Sequence, residues 1–402
     1  MPNLKELTTK IGSGSTPRGG KSAYIDSGIP IIRSQNIIDL SFHESGLAFI
    51  SEEQAQAMEG VSVHLNDVLL NITGDSTARV AIWNRRQQAR VNQHVAIIRA
   101  NPDQLDPYWL MYWLYSPEVK QHLLMLASSG ASRAALTKGM LEQLELPDFS
   151  VRQQQSISAP LRALDDKITA NVRVLATANE LVKNLYTAIP KSSNHAIESI
   201  GELVKKNVKP EEMDESKALI NLEHFDSKQI WISRHTQVPE ATSAKSSFLV
   251  GDVLFGKLRP YFHKVGVAPI GGYCSTDVLV VRPREDSYRG LLLAAMSAEE
   301  TVAIATQNSN GTRMPRAKWA DIASCAIPDP DDPKSIELGK LMDVLIPKCN
   351  ALIHENHVLA RTRDELLPLL MSGRITVGEA EKAANVADTA ASESGSSGFR
   401  VH

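Results

Sequence analysis

The chain repeats itself, and this constrains its fold more than any other feature of the sequence. Asn66-Asp67-Val68-Leu69-Leu70 returns 185 positions later as Gly251-Asp252-Val253-Leu254-Phe255. Val95-Ala96-Ile97-Ile98-Arg99 returns as Val278-Leu279-Val280-Val281-Arg282, and Gly130 and Pro147 return as Gly311 and Pro328. Asn171, followed by Asn179-Glu180-Leu181, returns as Asn356 and Asp364-Glu365-Leu366. Solenoid units have periods of roughly 20–50 residues, so a period this long is a whole module duplicated once.

Each module has two parts. Its first ~150 residues mix strand-like and helix-like patterns, as expected of a globular domain. Val95–Arg99 and Val278–Arg282 read as strands, whereas 106–126 reads as a helix that Pro117 is expected to kink or divide. The second part is a long heptad helix. Leu161, Ile168, Leu175 and Val182 recur every seven residues, interleaved with Leu164, Asn171, Ala178 and Leu185. The second copy has Ile346, Ile353, Ala360 and Leu367, interleaved with Cys349, Asn356, Arg363 and Leu370. This is a coiled-coil seam broken by two asparagines and one arginine. Pro160, Pro347 and Pro368 each predict a kink or helix boundary. Two such helices in one chain would most simply pack together, parallel or antiparallel. Central residues meet their own equivalents only in an antiparallel pair with pseudo-two-fold symmetry. Asn171 and Asn356 are therefore expected to face each other, and Leu161, Leu164, Ile168, Leu175, Ile346, Ile353 and Leu367 to form the apolar interface.

The 402 residues carry 43 Lys plus Arg against 46 Asp plus Glu, a formal charge of −3. That balance argues against a uniformly basic nucleic-acid binder. By segment it is less discouraging: residues 329–402 carry 8 basic and 12 acidic groups, the largest acidic excess in the chain. No apolar run approaches the ~18–20 residues of a membrane helix. The N-terminus lacks the apolar core of a signal peptide. Cys274, Cys325 and Cys349 are too few and too scattered for a disulfide framework or a zinc cluster. A cytoplasmic location without membrane contact is the expectation. The segment from Gly378 onward is rich in Ala, Ser, Glu and Gly, and is expected to be disordered.

With the repeat in view, the chain resembles the specificity (S) subunits of type I DNA restriction–modification systems over roughly residues 4–373. The residues carrying the resemblance begin with Gly14-Ser15-Thr16-Pro17 and Ile29-Pro30-Ile31-Ile32. The run Gly251-Asp252-Val253-Leu254-Phe255-Gly256-Lys257-Leu258-Arg259-Pro260-Tyr261 follows, with Lys264-Val265, Cys274-Ser275-Thr276-Asp277 and Gly311-Thr312-Arg313-Met314-Pro315-Arg316. The first domain departs from this pattern, having Thr73-Gly74-Asp75-Ser76-Thr77-Ala78-Arg79 in place of Gly256-Lys257-Leu258-Arg259-Pro260. The resemblance implies an α+β architecture. Two tandem mixed α/β target recognition domains (1–150 and 193–330) would each be followed by a long spacer helix (151–192 and 331–374), the helices packing as an antiparallel coiled coil. A low-complexity tail (375–402) would complete the chain. It further implies that each domain reads one half of a bipartite, asymmetric site in double-stranded DNA. Two modification subunits, carrying adenine methyltransferase chemistry and S-adenosylmethionine, and optionally restriction/translocase subunits, would be its protein partners. About 25–35 helical residues span roughly 40–50 Å, comparable with the ~34–36 Å between half-sites one helical turn apart.

Phosphate contacts need Lys and Arg, and base reading favours Arg, Lys, Asn and Gln. The second domain offers Lys257, Arg259, Tyr261, His263 and Lys264, whose odd-numbered side chains would share one face if the segment is extended. The first offers Arg33, Ser34, Gln35 and Asn36, with amides suited to adenine edges, then Thr73, Arg79, Arg85, Arg86 and Arg90. Arg133 with Lys138 and Arg313 with Arg316 and Lys318 sit at repeat-related positions. A solvated surface loop is the competing reading of each cluster, and the recurrence weighs against it.

Enzyme signatures are incomplete. Asp106-Pro107-Tyr108-Trp109 lacks the second proline of the amino-methyltransferase motif. His354-Glu355-Asn356-His357 has its histidines at i, i+3 rather than the i, i+4 of a zinc helix and reads as a solvated helix face. Gly20-Lys21-Ser22 lacks the glycine a phosphate loop needs five residues before it, that position being Ser15. A non-catalytic chain that binds no cofactor or metal itself is expected. The alternative is a symmetric scaffold or adaptor that binds only protein.

Overall fold

The computed structural model describes residues 1–44, 46–128, 135–238, 243–311, 313–384 and 386. They fall into two compact units, one built from Met1–Lys167 with Leu359–Ala387, the other chiefly from Ile168–Val358.

Eight strands make up the two larger sheets of the first unit: β1 (Thr8–Ser13), β2 (Ile29–Ile32), β3 (Ala48–Ile50), β4 (Ser62–Val63), β5 (Val68–Asn71), β6 (Val80–Ile82), β7 (Ala89–Val91) and β8 (Val95–Ala100). They form two four-stranded sheets, ordered β1-β8-β5-β6 and β3-β2-β7-β4. The apolar run Val68-Leu69-Leu70 is wholly buried, as a central strand covered on both faces requires. Helix α1 (Pro107–Tyr115) starts where Asp106 accepts a 2.7 Å hydrogen bond from the Trp109 amide, with Pro107 in the first turn. Pro117 divides the expected single helix: Ser116 turns extended and α2 (Pro117–Ser128) follows.

The second unit repeats this plan. The strands of its two larger sheets are β9 (Gly201–Leu203), β10 (Asn207–Val208), β11 (Ala218–Ile220), β12 (Thr236–Gln237), β13 (Lys245–Phe248), β14 (Val253–Gly256), β15 (Val265–Val267), β16 (Gly272–Cys274) and β17 (Val278–Pro283). The sheet β9-β17-β14-β15 matches β1-β8-β5-β6 strand for strand, and β12-β11-β16-β13 matches β3-β2-β7-β4, with β10 added at its edge. The one parallel pairing of each second sheet, β2 with β7 and β11 with β16, is also shared.

A repeated ion pair explains why Asp follows Asn66 and Gly251. Asp67, fully buried, accepts two 2.8 Å bonds from Arg99, while the His64 amide donates to its Oδ2. Asp252 is held identically by Arg282 and the Leu249 amide. Bidentate Arg–carboxylate geometry is the strong form of this contact, and it ties β8 to the entry of β5, and β17 to the entry of β14.

The long helices are α3 (Val151–Thr187) and α4 (Pro333–Met371), which run unbroken through Pro160, Pro347 and Pro368, so none of the three is a boundary. In the first unit Asp165 meets Arg363 at 2.6 Å, while Ile157, earlier in α3, shares a groove with Leu370, later in α4. The helices are therefore antiparallel there. Leu161, Leu164 and Leu367 are buried, and in the second unit Leu175, Ile346 and Ile353 join the domain's own core; Ile168 is half-buried. Asn171 Nδ2 donates to Asn356 Oδ1 at 2.9 Å, as the seam pattern predicts, and also to Glu355, which is only 6% exposed. The segment 354–357 is therefore not a solvated face throughout. Residues 377–384, expected to be disordered, form a further helix capped by reciprocal Thr376–Glu379 bonds, with Ala380 buried.

Arg363 also pairs with Asp364, and Asp165 accepts from the Tyr112 hydroxyl at 2.6 Å. Burial raises the Asp165 carboxyl pKa even beside the guanidinium, and burial together with Asp165 keeps the Tyr112 hydroxyl protonated as a donor. Removing one partner of a buried pair is expected to cost about 3–5 kcal/mol, whereas replacing both by apolar residues is close to neutral. Urea denaturation of Arg363→Met should show that loss, and Asp165→Leu combined with Arg363→Met should recover most of it.

Candidate nucleic-acid interface

The candidate surfaces grow from one hairpin, built twice. Eight residues, 72–79, link β5 to β6, and eight, 257–264, link β14 to β15. At the base, the Asn71 amide donates to Arg79 O and the Gly256 amide to Lys264 O, both at 2.8 Å. Each loop is buttressed by a second segment: Leu136 N bonds Ile72 O, and Ala317 N bonds Lys257 O, both at 2.9 Å. Backbone φ is positive at Gly74 and Ala78 in the first loop, and at the equivalent Arg259 and His263 in the second. For a non-glycine residue this conformation costs roughly 1–2 kcal/mol, so surrounding bonds must hold it. The Arg259 amide bonds Pro315 O at 2.7 Å, and His263 O accepts from Lys228 N at 2.9 Å.

This geometry corrects the extended reading of 257–264. Pro260–Phe262 is a single 3₁₀ turn between two left-handed residues, so the odd-numbered side chains do not share a face. His263 points inward. It is 6% exposed, its Nε2 donates to Ser297 O at 2.8 Å, and its Nδ1 lies 3.7 Å from Glu299. The Lys264 ammonium donates to Leu222 O at 2.7 Å, and burial lowers its pKa. Arg316 is committed to a two-point pair with Asp277. Lys257, Arg313 and Lys318 make no side-chain hydrogen bond or ion pair with described residues, and the buried Arg259 Nε has no hydrogen-bond partner among them. Tyr261 is 52% exposed.

In the first unit, Asn36 is buried. Its side chain accepts from Arg33 N at 3.1 Å and donates to His43 O at 3.0 Å, so its amide shapes the turn instead of reading a base. Arg33 and Gln35 both donate to Gly46 O, and Ser34 O accepts from Asn71, which joins this turn to the hairpin base. Thr73 bonds His94 at 2.6 Å. Arg90 is 3% exposed and bonds Ala55 O, Ala89 O and Glu59; it braces the domain and does not face solvent. Arg85 lies over Trp83 and Phe42 and pairs with Glu44 at 2.7 Å. Arg79 and Arg86 are exposed, with no side-chain contact to described residues. Lys138 makes one exposed pair with Glu142, and Arg133 lies outside the described residues.

Sequence reasoning missed the turn Asn221–His224, the second copy of Arg33–Asn36. There the Asn221 amide bonds His224 Nδ1 at 2.9 Å, as Arg33 N bonds Asn36 Oδ1. The letters differ at every position, and only the repeat offset signals the equivalence. Among the described residues there is no cluster of metal-ligating side chains, and no helix is long and apolar enough to cross a membrane.

The same frame built twice with different loops can be compared with known chains. No protein-family model matches the chain. It is 27% identical over 124 residues to the EcoDI type I restriction enzyme specificity subunit of Escherichia coli, covering 31% of this chain and 28% of that one. It is 22% identical over 191 residues to a candidate MjaX type I specificity subunit of Methanocaldococcus jannaschii, covering 46% and 44%. The chain thus spans less than half the length of the curated relatives it matches. A crystal structure of a type I restriction–modification S subunit from M. genitalium shares its fold, with a TM-score of 0.54 at 12% identity over 92% of this chain and 94% of that one. The chain is similar to type I specificity subunits in sequence and in fold, as the sequence motifs implied.

Two outcomes follow. Arg90→Ala strips charged hydrogen bonds from buried carbonyls and should destabilise by about 2–3 kcal/mol, whereas Arg79→Ala and Arg86→Ala should stay within about 0.5 kcal/mol; thermal melts separate them. Burial outweighs Glu299 and lowers the His263 pKa below its unfolded value. The unfolded state then binds the extra proton, so stability should fall as pH drops below the ordinary histidine range. Denaturation midpoints at pH 7.5 and 5.5 check the sign, and His263→Gln should reduce the difference.

Proposed function

We propose that this chain is the sequence-reading subunit of a type I restriction–modification system. Each unit would contact one half of a bipartite site in double-stranded DNA, and the paired helices would set the unread spacer. The observation that carries this reading is the twice-built hairpin, whose frame is the same in both units while its tip and neighbouring loops present different residues. Cations beside it suit phosphate contacts: the exposed Arg79 and Arg86 in one unit, and the exposed Arg313 with the half-buried Lys257 in the other. Two short cationic loops on a chain of net charge −3 make a weak electrostatic footprint. Tight binding would then need partners. We take these to be two methyltransferase subunits, which would bind S-adenosylmethionine and carry the adenine chemistry, with restriction subunits joining the same assembly. The chain itself is non-catalytic in this reading, as the specificity-subunit names of its relatives suggest.

Methylome sequencing of a host expressing the chain with its partner methyltransferase is the test. A split methylated-adenine motif is expected, and exchanging residues 193–330 for those of a relative should change one half only. Absence of any new motif would count against the reading. In binding assays with the partner present, Arg79→Ala or Arg313→Ala should each lower the salt slope by about one unit with little change in sequence preference.

A further inference from the structure

The two hairpins share length, base hydrogen bonds and both positive-φ positions, so the chemistry of their tips can be compared directly. At the first tip stand Asp75, Ser76 and Thr77; at the second, Pro260, Tyr261 and Phe262. We propose that Tyr261 and Phe262 form an aromatic wedge that the second unit inserts between stacked base pairs of its half-site. This rests on the DNA reading above and adds how one half-site would be recognised.

Three observations support it. The rings lie side by side, with centroids 4.8 Å apart, and are 52% and 45% exposed. Scattered exposed apolar groups are ordinary, but a contiguous pair on a loop tip marks a contact surface. The tip is also fixed: Pro260 restricts its own φ, Ser227 donates to Phe262 O at 2.8 Å, and the flanking left-handed residues are tied to Pro315 and Lys228. A loop whose backbone is already fixed loses little entropy when its tip is inserted. Finally, cations stand beside the tip. Arg259 and Lys257 lie in the same loop, and exposed Arg313 lies beside Met314, itself 48% exposed, on the buttressing segment. An apolar wedge flanked by cations complements unstacked bases flanked by phosphates, whereas a protein groove would bring no matching set of anions. The first tip, with its carboxylate and hydroxyls, has no ring to insert. The two units would therefore deform their half-sites unequally.

The test selects duplexes from a randomised pool with the full-length chain and its partner methyltransferase, then places 2-aminopurine at each position of the selected site. Binding should raise fluorescence at one step in one half-site. Tyr261→Ala combined with Phe262→Ala should abolish that rise and weaken binding roughly ten- to a hundredfold, the scale of losing one stacked base. Phe262→Leu, which keeps an apolar wedge, should retain most of it. Both side chains are exposed, so far-ultraviolet circular dichroism should not change. An unchanged fluorescence rise and affinity in the double variant would overturn the wedge and leave the DNA reading standing. Loss of methyltransferase assembly with DNA contacts intact would overturn it too, making the tip a protein contact. If the wild type enriches no duplex, both readings fail together.

Discussion

A buried carboxylate stays charged only when donors surround it, and in this chain that requirement fixes the frame of both modules. Asp67 and Asp252 each take a two-point bond from an arginine three strands further along the sequence and a third bond from a backbone amide. The register between β5 and β8, and between β14 and β17, is thereby set by charge as well as by the ladder. A one-residue slip would leave the carboxylate without its guanidinium and turn every side chain of the strand to the opposite face. The hairpins β5–β6 and β14–β15 spring from these strands, so the positions of their tips follow from the same constraint.

The helices use polar groups differently in the two units. In the second, Asn171 bridges Asn356 and Glu355, and all three sit where an apolar residue would pack more favourably by itself. In the first, Asp165, Arg363, Asp364 and Tyr112 form a charged cluster. The position equivalent to Asp165 is Asn350, whose amide atoms are buried without a partner, and the equivalent of Arg363 is Ala178. The duplication has thus kept the seam and let its polar contacts diverge. Buried polar pairs of this kind contribute little net stability, but they penalise every other register.

Periodicity and offset made the architecture legible. The seam residues, the facing asparagines, the doubled module and the break at Pro117 all follow from patterns that depend on backbone geometry alone. The site was less readable because a basic letter does not say where its side chain goes. Arg90 and His263 belong to runs that look exposed, yet each meets carbonyls presented by segments far away in sequence: Ala55 for one, Ser297 for the other. Asn36 carries the right amide for adenine, but a 3₁₀ turn uses it first. Glu355 sits between exposed His354 and His357, and helix-face reasoning fails where a partner amide reaches across. Residues 377–384 differ from expectation for a similar reason. Composition weighs the average of a segment, while a capping pair at Thr376 and Glu379 acts on its first turn.

Strain sorts the remaining residues. Arg259 and His263 occupy a conformation that glycine would adopt without penalty, and the first hairpin does place Gly74 at the position equivalent to Arg259. Keeping a large side chain there requires compensating bonds, and the second hairpin supplies them from Pro315, Lys228 and Ser297. Those bonds are directed at the backbone of the loop and at the inward-facing imidazole, and Ser227 holds the tip by the Phe262 carbonyl, not by a side chain. The frame therefore absorbs the cost of the turn, and residues 75–77 and 260–262 stay free to differ. A fold that separates frame from tip in this way can change the surface it presents without changing what holds it together.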